Sequence, residues 1–101
     1  MEFKIIKSPS SGTIEILTKR LGQKEVEHID NIDAIGLVQG RMIDMICAAD
    51  IAEKSNKVLV SDVRGSCPQN MIMIAIFGDT ASVESAVSEI KCKVEKGKII
   101  C

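Results

Sequence analysis

Three consecutive stretches in the middle of the chain decide its fold: Val58-Leu59-Val60-Ser61-Asp62-Val63, then Gly65-Ser66-Cys67-Pro68-Gln69-Asn70, then Met71-Ile72-Met73-Ile74-Ala75-Ile76-Phe77. Two apolar runs separated by a Gly/Pro/Asn cluster read as a β-hairpin. Cys67 falls at its tip. A free cysteine usually behaves as a small buried hydrophobe, so a loop is an unusual place for one. Held there by Gly65 and Pro68, the thiolate is positioned to meet a metal, an oxidant or another subunit.

Working outward, residues 41–54 change period. Met42, Met45, Ile46, Ala49 and Ala52 fall on one helical face, with Ile43 and Cys47 beside it. Residues 34–38 form a brief apolar strand that ends near Gln39-Gly40. Downstream, Gly78-Asp79-Thr80 opens a second helix, with Asp79 or Thr80 able to accept from the first-turn amides. Val83, Val87, Ile90 and Val94 give this helix an apolar stripe, with Ala86 alongside. Gly97 is a stop signal. Towards the N-terminus, residues 3–6 read as a strand, residues 8–12 as a turn, and Thr13-Ile14-Glu15-Ile16-Leu17 as a second, β-branched strand. Residues 18–31 are a polar connection with room for one helical turn.

The order within residues 34–94 is therefore β-α-β-β-α. That is most of a split βαβ, ferredoxin-like layer, with its last strand to be supplied by the N-terminal pair. The expected class is α+β, an antiparallel sheet with its helices on one face, so the other face needs cover or a partner. One domain spans residues 1–101: a strand pair over 1–20, a connection over 21–33, a core over 34–94 and a tail over 95–101.

Composition excludes several functions. The net charge is −1 at pH 7, and the basic residues are scattered. A nucleic-acid partner needs a concentrated basic face, and stacking on single strands needs aromatics, of which there are only two phenylalanines. No apolar run approaches a membrane span. Residues 1–4 show no signal-peptide pattern, so the expected location is the cytoplasm. The chain has no nucleophile–base pair, no paired carboxylates around a cleft and no phosphate-binding glycine loop, since Gly36-Leu37-Val38-Gln39-Gly40 lacks that spacing. An enzyme is not expected. Cys47, Cys67, Cys92 and Cys101 form no C-x-x-C pair, and in a cytosolic chain they read as thiols or metal ligands rather than a disulfide framework. Cys47 reads as core, Cys92 as peripheral and Cys101 as terminal. His28 reads as solvated, and the methionines read as core filler. Lys91-Cys92-Lys93 and Lys96 read as a solvated basic surface.

Five groups of residues together resemble the bacterial microcompartment (BMC) shell-protein domain. They are Ala34-Ile35-Gly36-Leu37-Val38, Cys47-Ala48-Ala49-Asp50, the strand over 58–63, Gly65-Ser66, and Phe77-Gly78-Asp79 followed by Val83, Ala86 and Val87. The resemblance covers residues 34–94. Because strands precede this stretch and none follows it, the chain resembles the circularly permuted branch. It is most similar to the divergent GrpU-like shell proteins of glycyl-radical-enzyme compartments. The lysine that the family usually places before the first helix is absent, and Gln39-Gly40-Arg41 stands there, with Arg41 as the available substitute. The hairpin loop is longer than the common form.

The resemblance implies a homo-hexamer that associates with other shell proteins, with Gly65, Ser66, Cys67, Pro68 and Gln69 at its central pore. Six-fold symmetry would gather copies of Cys67 around one axis. Thiolates suit iron–sulfur clusters, so the expected cofactor is a 4Fe–4S cluster shared between subunits and using only part of the ring. It would serve electron transfer or cluster delivery across the shell. Ser66 and the backbone amides of Cys67, Gln69 and Asn70 would donate to its sulfurs. One alternative is a pore for small metabolites without metal. Another is a small regulatory ligand-binding module of the ACT or nitrogen-sensor type.

Overall fold

The computed structural model describes residues 1–21, 32–55, 57–65, 71–95 and 99–100. Seven elements run along them in the order β1 (Glu2–Lys7), α1 (Ser11–Thr18), β2 (Ala34–Arg41), α2 (Met42–Ser55), β3 (Leu59–Val63), β4 (Met71–Gly78) and α3 (Thr80–Val94). The strands form one antiparallel sheet in the order β1-β2-β4-β3. As expected, the N-terminal segment supplies the fourth strand, with Ile5 opposite Gly36 and Lys7 opposite Ala34.

β2 and β4 are the two central strands, covered on both sides. This is why they read as nearly unbroken apolar runs instead of alternating ones. On one face Ala34, Val38, Ile74 and Ile76 pack under Met45, Ala48, Ile51 and Ala52 of α2 and Val83, Ala86, Val87 and Ile90 of α3. Full burial of each larger aliphatic side chain here contributes about 1.5–3 kcal/mol. Gly36 lets α3 lie directly on the β2 backbone: a Cβ there would come within 2.9 Å of Val87 Cγ2 and 3.1 Å of Val83 Cγ1.

α3 starts as expected. Asp79 Oδ1 accepts from Ser82 N at 2.8 Å, and Oδ2 accepts from Ser82 Oγ at 2.9 Å. α2 is rotated from the expected face. Its inward row is Met45, Ala48, Ile51 and Ala52, while Met42, Ile43 and Ile46 lie exposed. The inward row mixes the small Ala48 and Ala52 with the larger Met45 and Ile51.

The expected second N-terminal strand is a helix. Ser8 takes a left-handed conformation (φ 49°), and its N–H donates to Asp33 O at 2.8 Å. The chain reverses there, and Ser10 caps α1 by accepting from Thr13 N through Oγ at 3.2 Å. The cap satisfies a first-turn amide, and this local gain outweighs the β preference of Thr13, Ile14 and Ile16. Ile14 and Leu17, one turn apart, then face the sheet, and Leu21 follows them. They pack on Ile35, Ala75 and Phe77, on the side opposite α2 and α3. The strand pair over residues 1–20 is thus corrected to a strand and a helix, and that helix partly covers the second face of the sheet.

Candidate functional site

β3 stops at Val63, which lies opposite Met73, while β4 runs two residues further and pairs Met71 and Ile72 with Arg41 and Gly40 of β2. The connection over 64–70 therefore leaves from one end of the sheet. Its base is tied to the turn after α1 by a reciprocal pair of bonds. Arg64 N donates to Arg20 O at 2.8 Å, and Arg20 Nη1 donates to Arg64 O at 3.3 Å. Gly65 is exposed beside this clamp, and a Cβ there would stand 3.6 Å from Arg20 Nη1, an ordinary contact. Ser66, Cys67, Pro68 and Gln69, the other expected pore-loop residues, lie outside the described residues, as do Asn70, His28, Lys96, Gly97 and Cys101.

Next to the clamp is an apolar groove of about 330 Å³ between α1 and the sheet. Leu17, Leu37, Val63 and Met73 line it, and Arg20 and Arg64 are among the other lining residues. Neither guanidinium is in an ion pair among the described residues. Sequence reasoning missed this site. The Ser10-x-x-Thr13 cap was the available signal, because a helix starting there carries Leu17 and then Arg20 towards the hairpin.

The remaining cysteines separate. Cys92 on α3 is an exposed free thiol. Cys47 is half-buried on α2 and packs beside the core, but it is disulfide-bonded. This corrects the expectation of a plain thiol there. Among the described residues no three His, Cys, Asp or Glu side chains group so as to hold a metal ion. The basic surface is partly committed: Lys93 pairs with Glu89 at 3.1 Å, and Lys91 lies 5.9 Å from the centre of the Phe3 ring. Arg41 is exposed at the end of β2 and pairs with Asp44 at 3.5 Å. Asp79 has its carboxyl held below the ordinary value of 3.8, first by the backbone N–H of Ser82 and then by the Ser82 hydroxyl.

A family model for the BMC domain matches residues 34–101. The chain belongs to the BMC-domain family. The match begins at the first residue of β2, so β1 and α1 of this BMC domain precede it. Two solved relatives align over most of the chain. The GrpU microcompartment shell protein from Clostridiales bacterium 1_7_47FAA is 54% identical, with 95% of this chain and 93% of that one covered and a TM-score of 0.71. The GrpU microcompartment shell protein from Pectobacterium wasabiae is 33% identical over 89% of this chain and 99% of that one, with a TM-score of 0.72. The fused permuted hexameric shell protein of the RMM microcompartment, at 16% identity, covers 90% of this chain and 43% of that one. Its TM-score of 0.66 shows the shared fold alone. No curated protein sequence matches the chain. The BMC domain is thus a structural component of a microcompartment shell, and the regulatory-module alternative gives way to it. Among the described residues no helix is long and apolar enough to cross a membrane.

Proposed function

We propose that this BMC domain is a circularly permuted, GrpU-like, non-catalytic subunit in the cytoplasmic shell of a glycyl-radical-enzyme microcompartment. It assembles as a cyclic homo-hexamer beside other shell proteins, with Gly65, Ser66, Cys67, Pro68 and Gln69 at the central pore. Cys67 from several subunits holds a 4Fe–4S cluster. The observation that carries this reading is a cysteine-bearing connection at one end of the sheet in a chain 54% identical to a GrpU microcompartment shell protein.

Three further features support it. β1 occupies the sheet edge beside β2, where a permuted last strand belongs. The exposed Met42, Ile43 and Ile46 on α2 offer apolar surface to a neighbouring subunit. A rotation axis would bring copies of Cys67 from several subunits together, as a shared metal site needs. A bound cluster supplies one-electron transfer, or iron and sulfide for delivery. This chain's own part is to converge its Cys67 sulfurs and to anchor their loop through the Arg20–Arg64 clamp.

The test is anaerobic purification under reducing conditions, with light scattering and an absorbance spectrum. The expected result is a hexamer with broad brown absorbance that is lost in Cys67→Ser and kept in Cys92→Ser. Colour that survives Cys67→Ser refutes the ligand assignment. A colourless wild-type hexamer, after iron and sulfide have been offered, supports a metal-free metabolite pore instead.

A further inference from the structure

The second face of the sheet is only partly covered. α1 packs over Ile35, Ala75 and Phe77, which are buried. Leu37, Val63 and Met73, nearer the hairpin end on the same face, stay half-buried. These three line the groove of about 330 Å³, together with Ile6 and the exposed Ile16. Its volume lies at the small end for ligand sites, which run from about 300 to 1,000 Å³. That suits a pair of aliphatic side chains and not a helix about 10–12 Å across. The lining is almost wholly apolar, so a polar occupant would lose its hydrogen bonds to water and gain none.

The chain itself carries an apolar segment that lacks cover. Ile99 and Ile100 are 100% and 88% exposed, so their own chain buries neither. α3 decides where they leave the domain. Lys7 pairs with Glu84 at 3.6 Å near the start of this helix, and Lys91 lies 5.9 Å from the centre of the Phe3 ring near its end. The helix therefore runs antiparallel to β1. Its last turn lies at the end of the sheet where β1 begins and β3 stops, the end at which Val63 and Met73 line the groove. Ile99 follows Val94 by five positions, a reach of at most about 18 Å. The two isoleucines thus leave from the open end of the groove, but from the opposite face of the sheet.

We propose that Ile99 and Ile100 of one copy insert into this groove on a second copy, over Leu37 and Met73. In a closed ring every subunit gives one such segment and receives one, so no groove is left open. Tethering raises the local concentration of the segment, so a contact of two side chains is enough to hold it. The inference rests on the self-association proposed above, but neither on its being six-fold nor on Cys67.

The test mixes two deuterated preparations of the full chain and reassembles them. One carries ¹³C-labelled methionine methyls, the other protonated isoleucine methyls. Met73 lines the groove, while Met45 is buried on the opposite face and serves as an internal control. The expected result is a nuclear Overhauser contact from Met73 to an isoleucine of the other preparation. Ile99→Ser/Ile100→Ser in that second preparation should abolish it and leave the Met45 signal unchanged. Both positions are exposed, so this variant keeps its fold. A peptide of residues 96–101 with Cys101→Ser should bind the serine variant saturably, read at Met73. Ile100→Val in the peptide should weaken binding about three- to fourfold, the worth of one buried methylene. Ile16→Lys at the groove should weaken it at least about tenfold. Light scattering separates the readings. Copies that associate without the contact to Met73 overturn this inference alone, whereas a monomer overturns the assembly and this inference with it. A contact seen only when both labels sit on one copy overturns it, since the segment then occupies its own groove. So does a Met73 signal that moves with Ile43→Lys/Ile46→Lys but not with the serine variant, which gives the groove to α2 of a neighbour. Tighter binding of octanol than of the peptide also overturns it and assigns the groove to a small apolar ligand.

Discussion

Gly36→Ala tests whether α3 is seated on the backbone of β2. The new methyl would lie 2.9 Å from Val87 Cγ2 and 3.1 Å from Val83 Cγ1, where carbon atoms prefer about 3.5–4.0 Å. Valine in a helix keeps essentially one χ1 rotamer, so neither side chain can swing away. α3 must shift, or the overlap must stand. Overpacking of this kind costs about 1–3 kcal/mol. Against it stands the smaller conformational freedom of alanine in the unfolded chain, worth about 0.4–1 kcal/mol. The net expectation is a loss of about 1–2 kcal/mol. In a domain of this size that lowers Tm by roughly 4–16 °C, at about 4–8 °C per kcal/mol. The assay is urea denaturation followed by far-UV circular dichroism, at one protein concentration because association adds to apparent stability. Val87→Ala alone leaves a cavity and should cost about 1–3 kcal/mol, between the usual Ile→Val and Leu→Ala losses. Together the two changes should cost less than their sum by about 0.5–2 kcal/mol, because the new methyl fills part of the space that Val87 vacates. A neutral or stabilising Gly36→Ala, or strict additivity in the pair, refutes the packing argument.

Two further predictions test the cap and the outer face of α2. The folded-state pKa of Asp79 lies below its ordinary value. Its contribution to stability is therefore fully present above the unfolded carboxyl range and is lost as pH falls through the lowered folded value. Asp79→Asn should keep an acceptor for Ser82 while flattening the acid limb of the urea midpoint against pH; an unchanged limb rules the cap out as its source. Ile43→Lys/Ile46→Lys replaces side chains that are 73% and 64% exposed. It should leave the chain's own stability within about 0.5 kcal/mol at each site and shift mass by light scattering towards smaller species. An assembly of undiminished mass removes α2 from the subunit interface.

The parts legible in the sequence were those where local pattern and tertiary demand agree. The antiparallel pairing of β3 with β4, the cap at Asp79 and the stripe Val83, Ala86, Val87 and Ile90 all appear where pattern placed them. The misses have physical causes. Thr13, Ile14 and Ile16 carry β preference, yet the cap at Ser10 and the packing of the half-buried Ile14 and Leu17 make the segment a helix. On α2, Met42 and Ile46 are as apolar as Met45, so periodicity could not separate the buried row from the exposed one. The Arg20–Arg64 clamp joins residues 44 positions apart and has no local signature.

Sequence alone determined the β-α-β-β-α core and placed a cysteine between two strands, because periodicity, turn residues and caps act over a few residues and are read directly from side chains. The tertiary structure decided which face of α2 turns inward, that α1 covers the far side of the sheet, and that two arginines meet beside an apolar groove. Those outcomes depend on close approach between distant segments, where the space left by Gly36 and the reach of Arg20 matter more than local preference.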